Sequence, residues 1–164
     1  MNSAKTCKTN NEMELVFDAV SINESLARVA VAAFVTEKNP TLEELSDIKT
    51  AVSEAVTNAI IHGYENDKRY TVTCNDAQRV RLYCSFTGNM LTIEIEDKGV
   101  GIIDVEQAME PLFTTKPEQE RSGMGFSFME AFMDELEVES TVGEGTLIRM
   151  QKEIGLNPWI DEED

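Results

Sequence analysis

The sequence predicts an α+β domain with a mixed, mostly antiparallel sheet, and three observations lead there. Two helical runs, each opening on a capping motif, precede a cluster of short alternating strands. Those strands are joined by turn residues too few to carry crossover helices. A third helical run then leads into a last strand pair around a glycine turn.

Met1 to Asn11 is polar and reads as a mobile N-terminal tail, residues 12–154 as a single domain, and 155–164 as an acidic C-terminal tail. Met13 to Val20 alternates imperfectly and predicts the opening strand. Ser21 with Glu24 makes a capping-box pattern, and Ile22, Leu26, Val29, Ala30, Ala33 and Phe34 recur at helical spacing until Asn39-Pro40. Thr41 and Glu44 repeat the capping box. Behind them Leu45, Ile48, Val52, Ala55, Val56 and Ala59 form a buried stripe that Gly63 ends.

Val72 to Cys74, Val80 to Phe86 and Leu91 to Ile95 read as an antiparallel meander, separated by Asn75-Asp76 and Thr87-Gly88-Asn89. Residues 98–121 sustain no pattern and hold Pro111 and Pro117, so they read as a long connection, a lid. A helix over 122–134 and strands over Leu136 to Ser140 and Thr146 to Lys152 complete the order, with Gly143-Glu144-Gly145 turning between them. The eight methionines, and the crowd of Phe126, Phe128, Met129, Phe132 and Met133, read as core filling.

Composition narrows the function classes. With 164 residues, 41% of them hydrophobic, the chain can bury a self-sufficient core. No apolar run approaches the roughly 20 residues a membrane helix needs, and the first residues lack a signal peptide's hydrophobic region, so a cytoplasmic protein without membrane contact is expected. The three cysteines form no C-x-x-C pair, and with a single histidine they supply no usual zinc set. A net charge of -17 with no basic stripe argues against nucleic acid. The same charge means that a polyanionic ligand would need divalent metal and oriented backbone amides to hold it. It fits a basic protein partner, or simple solubility.

Four motifs carry candidate chemistry. Glu54 and Asn58 lie four residues apart and share a helix face. They read either as solvated helix residues or as a carboxylate that orients or deprotonates a hydroxyl beside an amide oxygen that ligates Mg²⁺. His62, one turn on, reads as a structural hydrogen-bonding residue. Asp97-Lys98-Gly99-Val100-Gly101 is an ordinary turn, or an inward acid able to accept from an adenine amino group with glycines that let the chain pass close. Gly123-Met124-Gly125 is flexible punctuation, or a helix start that offers free amides to phosphate. Thr114, Thr115, Lys116 and Arg121 would add donors there.

The order of these pieces resembles the N, G1, G2 and G3 boxes of the GHKL superfamily of gyrase, histidine-kinase and mismatch-repair ATPases, with Gly145-Thr146 as the last box. The runs Asn23 to Val35, Ser53 to Tyr64, Pro111 to Glu118, Arg121 to Phe126 and Phe132 to Asp134 resemble, more narrowly, the sporulation anti-sigma F factors. That resemblance implies a two-layer α/β sandwich (the Bergerat ATP-binding fold) with helices on one face and ATP or ADP held between helices and lid. It implies Mg²⁺, a homodimer, and two protein partners, sigma F and an anti-anti-sigma factor phosphorylated on serine. By position Glu54 would be the base or orienter, Asn58 the Mg²⁺ ligand, and Asp97 and Thr146 the adenine readers. Gly99, Gly101, Gly123, Met124 and Gly125 would shape the pocket, Thr114, Thr115 and Arg121 would meet phosphates, and Arg28 would face a partner. Two alternatives stay open: a non-catalytic module that sequesters sigma, and a stress-response anti-sigma kinase acting on another sigma factor.

Overall fold

The computed structural model describes residues 11–64, 78–111 and 124–155. Strand β1 (Asn11–Asp18) leads into helix α1 (Asn23–Val35), a short 3-10 turn at Thr36–Lys38, and helix α2 (Leu42–Asn58). The α2 axis continues through a wider π turn, Ala59–Gly63. Then come β2 (Arg79–Thr87), β3 (Met90–Asp97), the short α3 (Val105–Met109), α4 (Gly125–Phe132), β4 (Glu135–Thr141) and β5 (Gly145–Glu153). The strands form one sheet in the order β1-β2-β3-β5-β4, and every pairing among them is antiparallel.

Strand alternation decides which face meets the helices. Val80, Leu82, Cys84 and Phe86 of β2, Leu91, Ile93 and Ile95 of β3, and Ile148 and Met150 of β5 point to one side and are buried. Against them pack Ala27, Val31 and Val35 of α1, Ile48, Ala51, Val52, Ala55 and Val56 of α2, and Met129 of α4, so the protein is a two-layer sandwich with its helices on one face. Each large side chain fully buried there contributes about 1.5–3 kcal/mol. Phe34 stacks on Phe86 at 5.4 Å, tying α1 to the sheet. Burial pushes the Cys84 thiol up to about 12, which makes it inert packing.

The opposite face is a lattice of charges. Arg81 reaches Glu14 at 3.1 Å and Glu94 and Glu96 at 3.8 Å, while Arg149 meets Glu94 at 2.9 Å and Glu137 at 2.8 Å. Each such partly exposed pair is worth roughly 0–1 kcal/mol. Their main effect is to seat two cations among carboxylates that would otherwise repel one another on a chain with 31 acidic and 14 basic residues.

Three sequence expectations are corrected. Ser21 and Glu24 form no capping box: the α1 N-cap is Ile22 without a side-chain bond, and Glu24 instead meets Arg28 and the Ser53 hydroxyl. The buried stripe of α1 is Ala27, Val31 and Val35, and Ile22, Leu26 and Val29 face outward. That helix is apolar nearly all round, so periodicity offers two stripes and only docking on α2 chooses between them. The connection after β3 contains α3, capped by Asp104, whose Oδ1 accepts from Gln107 N at 3.0 Å. One and a half turns are too short to show a period. The expected strand Val72 to Cys74 lies outside the described residues.

The Thr41 capping box does form, with Glu44 N donating to Thr41 Oγ1 at 3.1 Å and Thr41 N donating to the Glu44 carboxylate at 2.7 Å. Thr41→Ala is therefore expected to destabilise the protein by about 1 kcal/mol in urea titration, and Ser21→Ala by no more than about 0.5 kcal/mol.

Candidate nucleotide site

Helix α2 brings Glu54 and Asn58 to the flank of its buried stripe, facing the start of α4. A Cβ at Gly125, the first residue of α4, would lie 3.2 Å from Glu54 Oε2 and 3.4 Å from both Asn58 amide atoms. Glycine is the residue that leaves this space open. The N-cap of α4, Met124, makes no side-chain capping bond, and the positive dipole end of that helix begins at the same place. A carboxylate, a carboxamide and a helix N-terminus thus converge.

The other half of the site lies at the end of β3. Asp97 is only 5% exposed, and its carboxylate accepts from Gly99 N at 2.9 Å and from the Thr146 backbone N–H. Burial nevertheless raises its pKa to about 6, against those two bonds, with the neighbouring Glu96 adding to the rise. The π turn sets Gly63 directly against that carboxyl: a Cβ at Gly63 would be 2.7 Å from Asp97 Cγ. Gly63 therefore ends the run as a contact residue rather than as a left-handed cap. Its carbonyl accepts from Val100 N at 2.8 Å, and a Cβ at Gly99 would stand 1.9 Å from that oxygen.

Around this junction Tyr64 donates its hydroxyl to Arg79 O at 2.6 Å and accepts from Lys98 N at 2.7 Å; burial raises its phenol pKa. Gly101, at φ +74°, passes over the Thr141 carbonyl. Ser140 Oγ holds Ile102 N at 2.8 Å and lies 2.8 Å from Thr146 Oγ1. Thr146, 7% exposed, pairs in register with Asp97 and with Ser140.

The structure thus groups Glu54, Asn58, Met124 and Gly125 on one side and Asp97, Gly99, Gly101 and Thr146 on the other. Gly123, Thr114, Thr115, Lys116 and Arg121 lie outside the described residues, as does the 112–121 part of the expected lid. Arg28 stands apart on α1, 3.7 Å from Glu24, on the helix that also exposes Ile22, Leu26 and Val29. Tyr64 and Ser140 were not read from the sequence. A hydroxyl that reaches across the fold leaves no periodic trace.

No group of three or more His, Cys, Asp or Glu among the described residues could hold a metal alone. Asn58 Oδ1 and the Glu54 carboxylate are hard oxygens, which suit a Mg²⁺ that arrives with its phosphates rather than one caged by protein. Among the described residues, no helix is long and apolar enough to cross a membrane.

A sandwich with these two acidic and glycine clusters at one end of its helical face defines a nucleotide-binding domain. The family model of the histidine kinase-like ATPase domain matches residues 18–152. An anti-sigma F factor from Thermoanaerobacter sp. (strain X514) is 59% identical over 145 residues, 88% of this chain and 95% of that protein. Another, from Clostridium acetobutylicum, is 54% identical over 146 residues, 89% and 96% of the two chains. The crystal structure of the RsbU and RsbW domains of a Mycobacterium tuberculosis protein shares the fold, with a TM-score of 0.61 at 17% identity over 88% of this chain and 33% of that one. The chain belongs to the histidine kinase-like ATPase family and, within it, to the anti-sigma F factors.

The raised Asp97 pKa has a consequence for stability. Between about 4 and about 6 the folded carboxyl keeps a proton that the unfolded one has lost, so this group lowers stability as pH rises through that window and costs its full amount above it. Asp97→Asn should remove that slope. Urea unfolding at pH 4, 5, 6 and 7 is expected to show the variant gaining on the parent as pH rises, by on the order of 3 kcal/mol at the upper end.

Proposed function

We propose that this protein is an ATP-dependent serine kinase and sigma-binding switch: it captures sigma F, and it phosphorylates an anti-anti-sigma factor on serine. The observation that carries this reading is the meeting of Glu54 and Asn58 at the start of α4, whose N-cap Met124 makes no side-chain bond. Phosphoryl transfer needs little beyond positioning and charge neutralisation, and those three features supply both on a chain of net charge -17.

In this reading Asp97 and Thr146 recognise adenine from the end of the sheet, and Gly99 and Gly101 let the backbone pass close to the base. Asn58 would hold the Mg²⁺, which would supply positive charge against the phosphates. Met124 and Gly125 present α4 amides to them, and Gly123, Thr114, Thr115 and Arg121 add donors from the lid side. Glu54 orients the incoming serine hydroxyl and takes its proton as the new O–P bond forms and the bond to the β-phosphate oxygen breaks, leaving ADP. Once ordered over the γ-phosphate, the lid favours the sigma complex; after transfer it releases that preference.

Arg28 belongs to the partner surface. It shares α1 with Ile22, Leu26 and Val29, which are large, apolar and exposed, and a helix that shows both an arginine and such residues suits a protein interface. The active form is a cytoplasmic homodimer. The names of the anti-sigma F relatives support sigma F as the factor it sequesters.

The test is transfer of label from γ-labelled ATP, with Mg²⁺, to the anti-anti-sigma factor of the same organism. Glu54→Gln is expected to lower the rate by roughly 10²–10⁴ while ATP binding, measured by titration, stays within a small factor. Tight ATP binding by the parent protein with no transfer would instead establish a non-catalytic sequestering module. Arg28→Ala should weaken sigma capture by about tenfold or more and leave ATP binding unchanged.

A further inference from the structure

One row across the sheet holds Asp97 of β3, Thr146 of β5 and Ser140 of β4 side by side. The Ser140 hydroxyl has three neighbours within hydrogen-bond distance: Ile102 N at 2.8 Å, Gly145 O at 3.0 Å and Thr146 Oγ1 at 2.8 Å. A hydroxyl has one hydrogen and two lone pairs. The Ile102 amide can only donate, so it takes one lone pair. The Gly145 carbonyl can only accept, so it takes the hydrogen. What remains for Thr146 is the second lone pair, so Thr146 must donate its own hydrogen to Ser140.

We infer that Ser140 is a specificity-positioning residue: by consuming the Thr146 hydrogen it makes that threonine an acceptor only, and so turns the base pocket against guanine. The inference rests on the reading of Asp97 and Thr146 as base-recognition residues. A carboxylate by itself discriminates poorly, because it accepts equally from the amino group of adenine or from the N1–H and amino group of guanine. A second acceptor fixed beside it is different. It tolerates an amino group or a bridging water's hydrogen, but it faces the O6 carbonyl of guanine lone pair to lone pair. Freed from Ser140, the Thr146 hydroxyl could rotate and donate to O6. Thr146 and Asp97 are both buried, so water does not screen the mismatch.

The experiment is titration of the full-length protein with ATP and with GTP, each with Mg²⁺, reading the ratio of dissociation constants. The parent is expected to favour ATP. Ser140→Ala should shrink that ratio by about tenfold, the scale of one hydrogen bond, chiefly by improving GTP. Ser140→Thr, which keeps the hydroxyl, should restore it. In a Thr146→Val background Ser140→Ala should change the ratio little, because Ser140 acts through Thr146. A purely structural serine would weaken both nucleotides alike and additively, and that result would overturn the inference. So would a parent-like ratio in Ser140→Ala. Should that variant not fold, Ser140→Cys replaces the oxygen with a weak acceptor of similar size, and an unchanged ratio there is equally decisive. A parent protein that binds both nucleotides alike would instead overturn the base-recognition reading itself, which separates the two failures.

Discussion

The site depends on how closely the end of α2 approaches the end of β3. A buried carboxyl at Asp97 stands against Gly63 with no room for a Cβ, and Gly99 passes so near the Gly63 carbonyl that any side chain there would collide with it. Backbone fills the space where side chains would otherwise hold helix and sheet apart. The π turn makes this approach possible, because its extra residue advances the chain past the regular helical path before Gly63 reaches the acid. The loop that follows β3 is held at that contact, where Val100 N donates to the Gly63 carbonyl just before Gly101 crosses over the end of β4.

An acidic chain that holds a polyanion must neutralise charge without many cations. Lysine and arginine are few, and among the described residues Arg81 and Arg149 are committed to the carboxylates of the open sheet face. Near Glu54 and Asn58 the structure offers a helix start whose N-cap residue, Met124, makes no side-chain capping bond. Oriented backbone dipoles can do there what a basic patch does elsewhere, and they add no net positive charge that would attract nucleic acid. This arrangement also explains why Gly125 is a glycine: a side chain would occupy the place where the carboxylate, the amide and the helix end meet.

The polar groups around Asp97 and Thr146 form a connected set. Tyr64 joins the segment after α2 to the start of β2 and to the residue after Asp97, and Ser140 joins β4 to β5 and to the loop after Gly101. Among the described residues, no buried side-chain polar atom lacks a partner. Such a set is rigid because each member fixes the rotor of the next, and loss of one leaves its neighbour buried and unsatisfied. The register of the sheet maintains it. A slip by one residue would turn Asp97, Thr146 and Ser140 to the charged face together.

Much of this was legible in the sequence. The Thr41 capping box, the α2 stripe, the β2–β3 hairpin and the β4–β5 pair all come from short-range chemistry: caps, 3.6-residue and two-residue periods, and turn residues. The spacing of Glu54 and Asn58 on one helix face is local in the same sense. The rest was decided by tertiary contact. Which of two apolar stripes α1 buries depends on what it packs against, and the Ser21 cap gave way because Glu24 is drawn toward Arg28 and the Ser53 hydroxyl. Tyr64 and Ser140 gained their roles from partners that are distant along the chain. Periodicity and capping, which act over a few residues, gave the long helices, the hairpins and the chemical groups available, and missed only what is too short to show a period, such as α3. Only the fold decided which of those groups share a buried space, because burial and hydrogen-bond pairing are properties of chain segments brought together.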